Sequence, residues 1–484
     1  MAGKGSSVAI LGAGPSGLAA CKAALEEGLS PTVFERAAGV GGLWRSDGSG
    51  KVWDSLRTNL SKFTCAFSDA PWQETAPDFP GSADVQKYLE AYSSSILAHI
   101  RFNTEVVSLK PAETGGWEIS FQDSCEPEKT NMTETFDYAI VATGIFSKPH
   151  QAAVPDADKF SGKVLHASAY REPTSFAGSR VLVVGSAFSG ADIAADIGGH
   201  AKSVTIAARR PLWYLPRYIG GKPADLAFYS RAANDQGREA TVEEKNLKRH
   251  SFFGSICDLP SPLPVPNPST DLPFVVISDH FLDAVKEGRV SVRPSEVSGF
   301  EGHTAAFADG HREEFDIVII ATGYRLDLPF FSTKALEALE FDADDLLQPV
   351  ILHECVWRPE LPRLAFVGVY RGPYFATMEL QARWACGVFS GRLPEPSADE
   401  LAEGLEAERK IRNQSPRPQF PHGDYVAMTE ALACRVGVQP KEILEDKTNA
   451  LHSFLYDGPL LPFHYRLVGF GARPEVAQAA ISEC

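Results

Sequence analysis

The residues with the clearest chemical potential are glycines. Gly12, Gly14 and Gly17 follow the apolar run 8–11 in G-x-G-x-x-G spacing and open a helical stretch. In such a turn the first glycine permits the tight reversal and the second lets backbone approach a pyrophosphate. The third lets helix and strand pack closely, with the helix N-terminus facing the anion. Ala13, Pro15 and Ser16 complete the turn, and Pro15 fits because the first helical turn needs no backbone donor. A second strand over residues 31–34 ends at Glu35, 23 residues after Gly12, with Arg36 next. A carboxylate there accepts ribose hydroxyls and repels a 2′-phosphate, so the site favours an unphosphorylated adenosine ribose, as in FAD or NAD. The pattern recurs with opposite charge. Gly185, Ser186, Ala187, Ser189 and Gly190 form a second turn, and the strand after its helix ends at Arg209 and Arg210, with Arg209 24 residues beyond Gly185. Guanidinium at that corner suits a 2′-phosphate through charge-assisted bidentate hydrogen bonds, so NADPH is the expected second nucleotide. Ala187 stands where the first turn has Gly14, at some cost to phosphate approach.

Both turns need the same scaffold. Each follows a short apolar run, the mark of a parallel strand buried on both faces, and each module closes on the same tripeptide: Ala142-Thr143-Gly144 and Ala321-Thr322-Gly323. Gly12 to Gly144 spans 132 residues and Gly185 to Gly323 spans 138, which reads as an internal duplication. The expected fold class is α/β, with two dinucleotide-binding, Rossmann-like, three-layer domains and a helical insertion. The domains are placed at 1–168 for FAD, 169–325 for NADPH with the insertion 211–275, and 326–484 for a return to the FAD domain. Helices are expected over 83–99, 379–389, from Ser397 onward and over 425–436; residues 51–82 read as an active-site loop. The insertion should be helical and then extended, given Pro260, Pro262, Pro264, Pro266 and Pro268.

Composition narrows the function. At 484 residues the chain suits two or three domains, and a net charge of −16 argues against a nucleic-acid or anionic-membrane surface. No run of about 18 apolar residues occurs, and the first strand begins at once, so a cytoplasmic protein without a membrane anchor is expected. The eight cysteines, at 21, 65, 125, 257, 355, 386, 434 and 484, include no C-x-x-C pair and no metal-type spacing. They read as reduced and structural, with no metal.

Between the modules, Phe160, Gly162, His166 and Tyr170 fit F-x-G-x-x-x-H-x-x-x-[YF]. This resembles the fingerprint of the class B flavin-containing monooxygenases. Further stretches look like the same family: Gly41-Gly42-Leu43-Trp44, Thr58-Asn59, Ala321-Thr322-Gly323-Tyr324 and Glu379-Leu380-Gln381-Ala382-Arg383-Trp384. The segment 458–467, GPLLPFHYRL, is similar to the tail of the dimethylaniline-monooxygenase branch, without a hydrophobic anchor after it. The resemblance implies FAD and NADPH as cofactors, with Leu60, Val106 and Gln381 added to the cofactor-binding set. It implies hydride transfer from NADPH to flavin and addition of O2 to give a C4a-hydroperoxide, which oxygenates a soft nitrogen or sulfur of a small molecule. Asn59 is the implied catalytic side chain, an amide that donates to the peroxide and accepts from the cofactor. His166 and Tyr170 are implied to be structural, at an interdomain hinge. Two alternatives stand: Baeyer–Villiger oxygenation of ketones, whose enzymes typically carry Trp where this chain has Tyr170, and a nucleotide-sensing protein without turnover. A dimer is common in such enzymes, and the sequence leaves the oligomeric state open.

Overall fold

Alternate residues of the first strand face different layers. In a computed structural model describing residues 5–126, 131–150, 154–372 and 374–483, β1 (Ser7–Leu11) is followed by α1 (Pro15–Glu26) and β2 (Ser30–Phe34). They belong to a five-stranded parallel sheet in the order Leu364–Phe366, Tyr138–Val141, β1, β2, Ile100–Arg101. Val8 and Ile10 pack with α1 and the long helix Phe375–Phe389 on one face. Ala9 and Leu11 pack on the other face against Leu109, Trp117, Ile119 and Phe121 of an antiparallel sheet. A strand covered on both sides has no polar alternation, which is why residues 8–11 are uniformly apolar.

The second module repeats these layers. β3 (Arg180–Val184), α2 (Phe188–Ile197) and β4 (Ser203–Ala207) enter a parallel sheet ordered Ser291–Arg293, β4, β3, Ile317–Ile320, Lys163–His166. Val181 and Val183 face α2, whereas Leu182 and Val184 face the antiparallel strands Val297–Glu301 and Thr304–Phe307. The strand Lys163–His166 therefore joins the second sheet, on the N-terminal side of residue 168.

Some helix bounds depart from the sequence reading. The helix expected over 83–99 runs Ser82–Ser93 and gives way to a 3-10 turn at Leu97–His99, because the serine run 93–95 is a poor helix former. The helix expected from Glu379 begins at Phe375, an apolar first turn that carries no capping side chain to signal it. The helices Ala398–Asn413 and Tyr425–Val436 start after Ser397 and Asp424, whose side chains accept from Glu400 and Ala427 N–H. The insertion contains helices Ala224–Phe228, Arg231–Gln236 and Val242–Ile256 before its proline-rich part. Among the described residues no helix is long and apolar enough to cross a membrane. Seven cysteines carry free thiols; Cys484 and the first four residues lie outside the described set.

The tail 458–467 is interior structure. Arg466 pairs with Glu379 at 3.1 Å and Glu26 at 3.2 Å, and donates to Ser68 Oγ at 2.8 Å. Beside it, Arg231 of the insertion donates to Glu430 at 2.7 Å, as do Tyr465 Oη and Gln439 Nε2. Burial pushes the Glu430 carboxyl up, but the Arg231 charge and these donors outweigh it and hold the group below its ordinary value. A depressed carboxylate stabilises the fold above its ordinary titration range and loses that contribution as pH falls through the folded value. Wild-type melting temperature should therefore fall more steeply below about pH 4.5 than that of Glu430→Gln, which should cost about 1.5–3 kcal/mol at neutral pH. Parallel acid slopes in the two proteins would remove Glu430 from this role.

Candidate active site

The two phosphate turns share one backbone geometry. Gly12 has φ +102° and Gly185 φ +101°, a region that favours glycine. A Cβ on Gly12 would lie 2.9 Å from Ala142 O, and one on Gly185 would lie 2.8 Å from Ala321 O. The two A-T-G segments thus press a carbonyl against the first glycine of each turn. At Gly17 and Gly190 a Cβ would fall 1.8 and 1.9 Å from the carbonyl oxygens of Gly12 and Gly185. Gly14 and Ala187 have φ of −75° and −76°, extended backbone open to any residue, so Ala187 costs nothing in conformation. Gly14 faces Gly42, where a Cβ would lie 3.0 Å from Gly14 Cα, so the backbones of residues 14 and 42 meet directly. Ser16 Oγ closes against Gly368, and Leu43 and Trp44 follow in the 3-10 turn Gly42–Trp44.

Glu35 sits under the first turn. Its Oε2 accepts from Ala13 N–H at 2.7 Å and its Oε1 from Ala37 N–H at 2.8 Å, leaving a lone pair on each oxygen for ribose hydroxyls. Arg36 is exposed beside it, and half-buried Val106 lies on the strand Thr104–Pro111 that joins Glu35 through Thr104 N–H. At the equivalent corner of the second module the two arginines differ. Arg209 is paired with Glu296 at 2.6 Å, whereas Arg210 has no carboxylate partner among the described residues. Arg371, also without one, is drawn below its ordinary value by burial and then by the Arg210 charge. Two adjoining guanidiniums without an anion make a receptive place for phosphate.

Asn59 is held from the other module. Arg217, in the insertion and 5% exposed, donates Nη2 to Asn59 Oδ1 at 3.2 Å and Nε to Thr58 O at 2.9 Å. Its own anchor is Asp279, bonded to both its backbone N–H and Nη1. Asp225, on the helix Ala224–Phe228, accepts from Ser61 N–H at 2.9 Å, Ser61 Oγ at 2.8 Å and Thr64 Oγ1. Burial pushes the Asp225 carboxyl up against the pull of these donors. The insertion therefore fixes residues 57–64, with Thr58 and Leu60 buried on either side of the half-buried Asn59. Asn59 Nδ2 makes no protein hydrogen bond among the described residues, and Thr58 Oγ1 is buried without a partner.

The remaining sites divide. His166 Nε2 donates to Gly323 O at 3.0 Å while Nδ1 accepts from Ser168 N–H, and burial lowers its pKa so the ring stays neutral. Tyr324 packs edge-on to that ring at 5.1 Å. Thr322 Oγ1 is bonded to His150 O. Tyr170 Oη donates to Asp196 at 2.6 Å, and Ser55 shares that carboxylate. Thr143 and Gly144 lie at the open end of Tyr138–Val141. Ser186 O accepts from Tyr214 Oη, and Ser189 and Gly190 lie in the first turn of α2. Gln381 is fully buried, with Oε1 accepting from Gly368 N–H at 2.9 Å, so it braces the turn that Ser16 Oγ closes against. Sequence reasoning missed Arg217, Asp225, Arg371 and Lys51, whose Nζ lies 5.7 Å from the Tyr324 ring centroid. None of these lies in a recurring motif; for Arg217 and Asp225 a charged residue inside an irregular insertion was the available signal.

The residues fit the nucleotides. Two glycine cradles, a ribose-facing carboxylate and an unpaired guanidinium pair define a flavoprotein class with one FAD turn and one phosphorylated-nucleotide turn. A model of the flavin-binding monooxygenase-like family matches residues 5–483, and the chain belongs to that family. It is 34% identical over 499 residues to flavin-containing monooxygenase 5 of Homo sapiens, covering 96% of this chain and 89% of that one. It is 32% identical over 497 residues to dimethylaniline monooxygenase [N-oxide-forming] 2 of Rattus norvegicus, at the same coverage. In fold it is similar to S-allyl-L-cysteine S-oxygenase from Allium sativum, with TM-score 0.67 at 22% identity over the whole of both chains. Open cyclohexanone monooxygenase aligns with TM-score 0.66 at 19% identity, over 88% of this chain and 97% of that one. Members of the family use FAD and NADPH, and the chain is an FAD-dependent NADPH monooxygenase.

Proposed function

We propose that this enzyme oxygenates a soft nucleophilic nitrogen or sulfur of a small molecule, consuming NADPH and O2. The carrying observation is Asn59: its Oδ1 is fixed by Arg217 and its Nδ2 is left to donate, an uncharged donor that needs no proton of its own. FAD, when bound, supplies the redox chemistry, taking hydride from NADPH and reacting with O2. The chain contributes everything else. The unit of the first sheet holds FAD through Gly12, Gly14, Gly17 and Glu35, and the unit of the second holds NADPH through Gly185, Gly190 and Arg210, with Arg371 alongside. Asn59 orients a polar group at the reacting centre, and the buried surroundings of Thr58 and Leu60 exclude water. The same reading takes an amine or sulfide and O2 as partners and a cytoplasmic location.

Ketone oxygenation is the competing reading, favoured by the fold similarity to cyclohexanone monooxygenase. Tyr170 favours nitrogen or sulfur instead, because ketone-oxygenating enzymes typically carry Trp at that position, where this chain has a phenol hydroxyl bonded to Asp196. The test is a panel of tertiary amines, thioethers and cyclic ketones, with NADPH consumed and product formed measured together. Amine or sulfide oxides formed near stoichiometry with NADPH support the proposal; lactones or esters as the main products overturn it. In the same assay Asn59→Ala should keep its flavin while product formation falls about 10²-fold and peroxide replaces it. Undiminished coupling in that variant would remove Asn59 from catalysis.

A further inference from the structure

Far from Asn59 in sequence, three metal-ligating side chains converge inside the C-terminal half. Cys355, Glu408 and His422 each offer one donor atom, and these atoms lie within 4.8 Å of one another. They line a cavity of about 10 Å³, room for a single water-sized sphere. His422 Nε2 is 2.8 Å from Glu408 Oε2, and Gln348 Nε2 donates to the same carboxylate oxygen at 2.6 Å. The polar inventory does not close. His422 Nδ1 and Gln348 Oε1 are both buried without a partner, and Gln348, 4% exposed, borders the same cavity. Cys355 reaches the cluster from a left-handed backbone, φ +60°.

We propose that Cys355, His422 and Glu408 bind one zinc ion, with the Gln348 side-chain carbonyl as the fourth donor. Thiolate, imidazole and carboxylate together select zinc among the common divalent ions, and a tetrahedral ion with bonds of about 2.0–2.3 Å spaces its donors at about 3.3–3.8 Å. The nearest donors, His422 Nε2 and Glu408 Oε2, are 2.8 Å apart and the set spans up to 4.8 Å, so binding would open the first contact by about 0.5 Å and draw the widest pair in by about 1 Å. Charge balances as well. One thiolate and one carboxylate neutralise the dication, so no net charge is buried. On binding, the Cys355 sulfur–hydrogen bond gives way to sulfur–zinc and its proton leaves to solvent; an imidazolium proton on His422 leaves likewise. The ion would tie the helix Ala398–Asn413 and the segment 414–424 to residues 348–355, beside Tyr370 of the turn that follows Leu364–Phe366. The role is structural and independent of the flavin chemistry.

The test uses the full-length, flavin-loaded protein, stripped with a chelator, dialysed and titrated with zinc ions alone. Wild type should retain about one zinc per chain by elemental analysis, with a zinc-edge X-ray absorption spectrum showing one sulfur at about 2.3 Å. Cys355→Ser should lose the sulfur shell and weaken zinc binding at least about tenfold, whereas Cys434→Ser, at an exposed thiol, should leave both unchanged. Wild type that takes up no zinc at micromolar concentration overturns the proposal, as does a bound ion without sulfur. Because both wild-type results stand alone, a Cys355→Ser chain that fails to fold does not rescue it.

Discussion

Gly17→Ala is expected to purify colourless. The new Cβ would sit 1.8 Å from Gly12 O and 2.8 Å from Gly12 C, and both are backbone atoms of the turn that would receive the phosphates. No side chain can swing aside, so α1 must move off β1 or the turn must open. Overpacking of this kind costs about 1–3 kcal/mol or more, and the cost falls on the one place where helix N–H groups face the anion. The measurement is the ratio of flavin to protein absorbance after gel filtration, alongside a melting curve. Gly14→Ala is the control. Its Cβ would be 3.6 Å from Gly42 Cα, at ordinary contact, and its φ of −75° suits alanine, as Ala187 already demonstrates in the second turn. That variant should fold normally and weaken FAD only modestly. Equal flavin retention in the two variants would sink this account of the turn.

Arg217→Ala should retain FAD and consume NADPH, yet release most of the reducing power as peroxide. The guanidinium bonds Thr58 O, Asn59 Oδ1 and Asp279 together, and breaking a buried pair by removing one partner costs about 3–5 kcal/mol. Asp279 is partly solvated, so the lower end applies. The loss should appear as about tenfold or greater uncoupling, because a loop displaced by about 1 Å forfeits catalysis without forfeiting cofactor. Arg217→Lys keeps the charge but lacks the fork that reaches three acceptors, and should fall between. The deciding quantity is product formed per NADPH consumed; a wild-type ratio in Arg217→Ala would show that residues 57–59 hold their place without it.

The framework of the fold was legible because it is local. Glycine spacing, the apolar strand before each turn and the residue closing the second strand lie within about 25 residues of one another, where steric rules act directly. The repeated A-T-G was visible too, though its reason, a carbonyl pressed on Gly12 and Gly185, lies in tertiary packing. What escaped was long-range. Arg217 meets Asn59 across 158 residues and Cys355 meets His422 across a strand and two helices, and neither pairing leaves a trace in spacing. Arg209 shows a subtler limit. Sequence paired it with Arg210 as equivalent, but Glu296 claims one and leaves the other free. Gln381, expected from its motif among the cofactor-binding residues, accepts from Gly368 N–H within the buried helix Phe375–Phe389, a bond its spacing did not announce.

Residues 57–64 belong to one unit by connectivity and to the other by hydrogen bonding, through Arg217 and Asp225. The two sheets therefore cannot swing apart without dragging the Asn59 amide with them. The bonds form an interlock: parting the two sheets means either breaking the Arg217 and Asp225 contacts or displacing the amide.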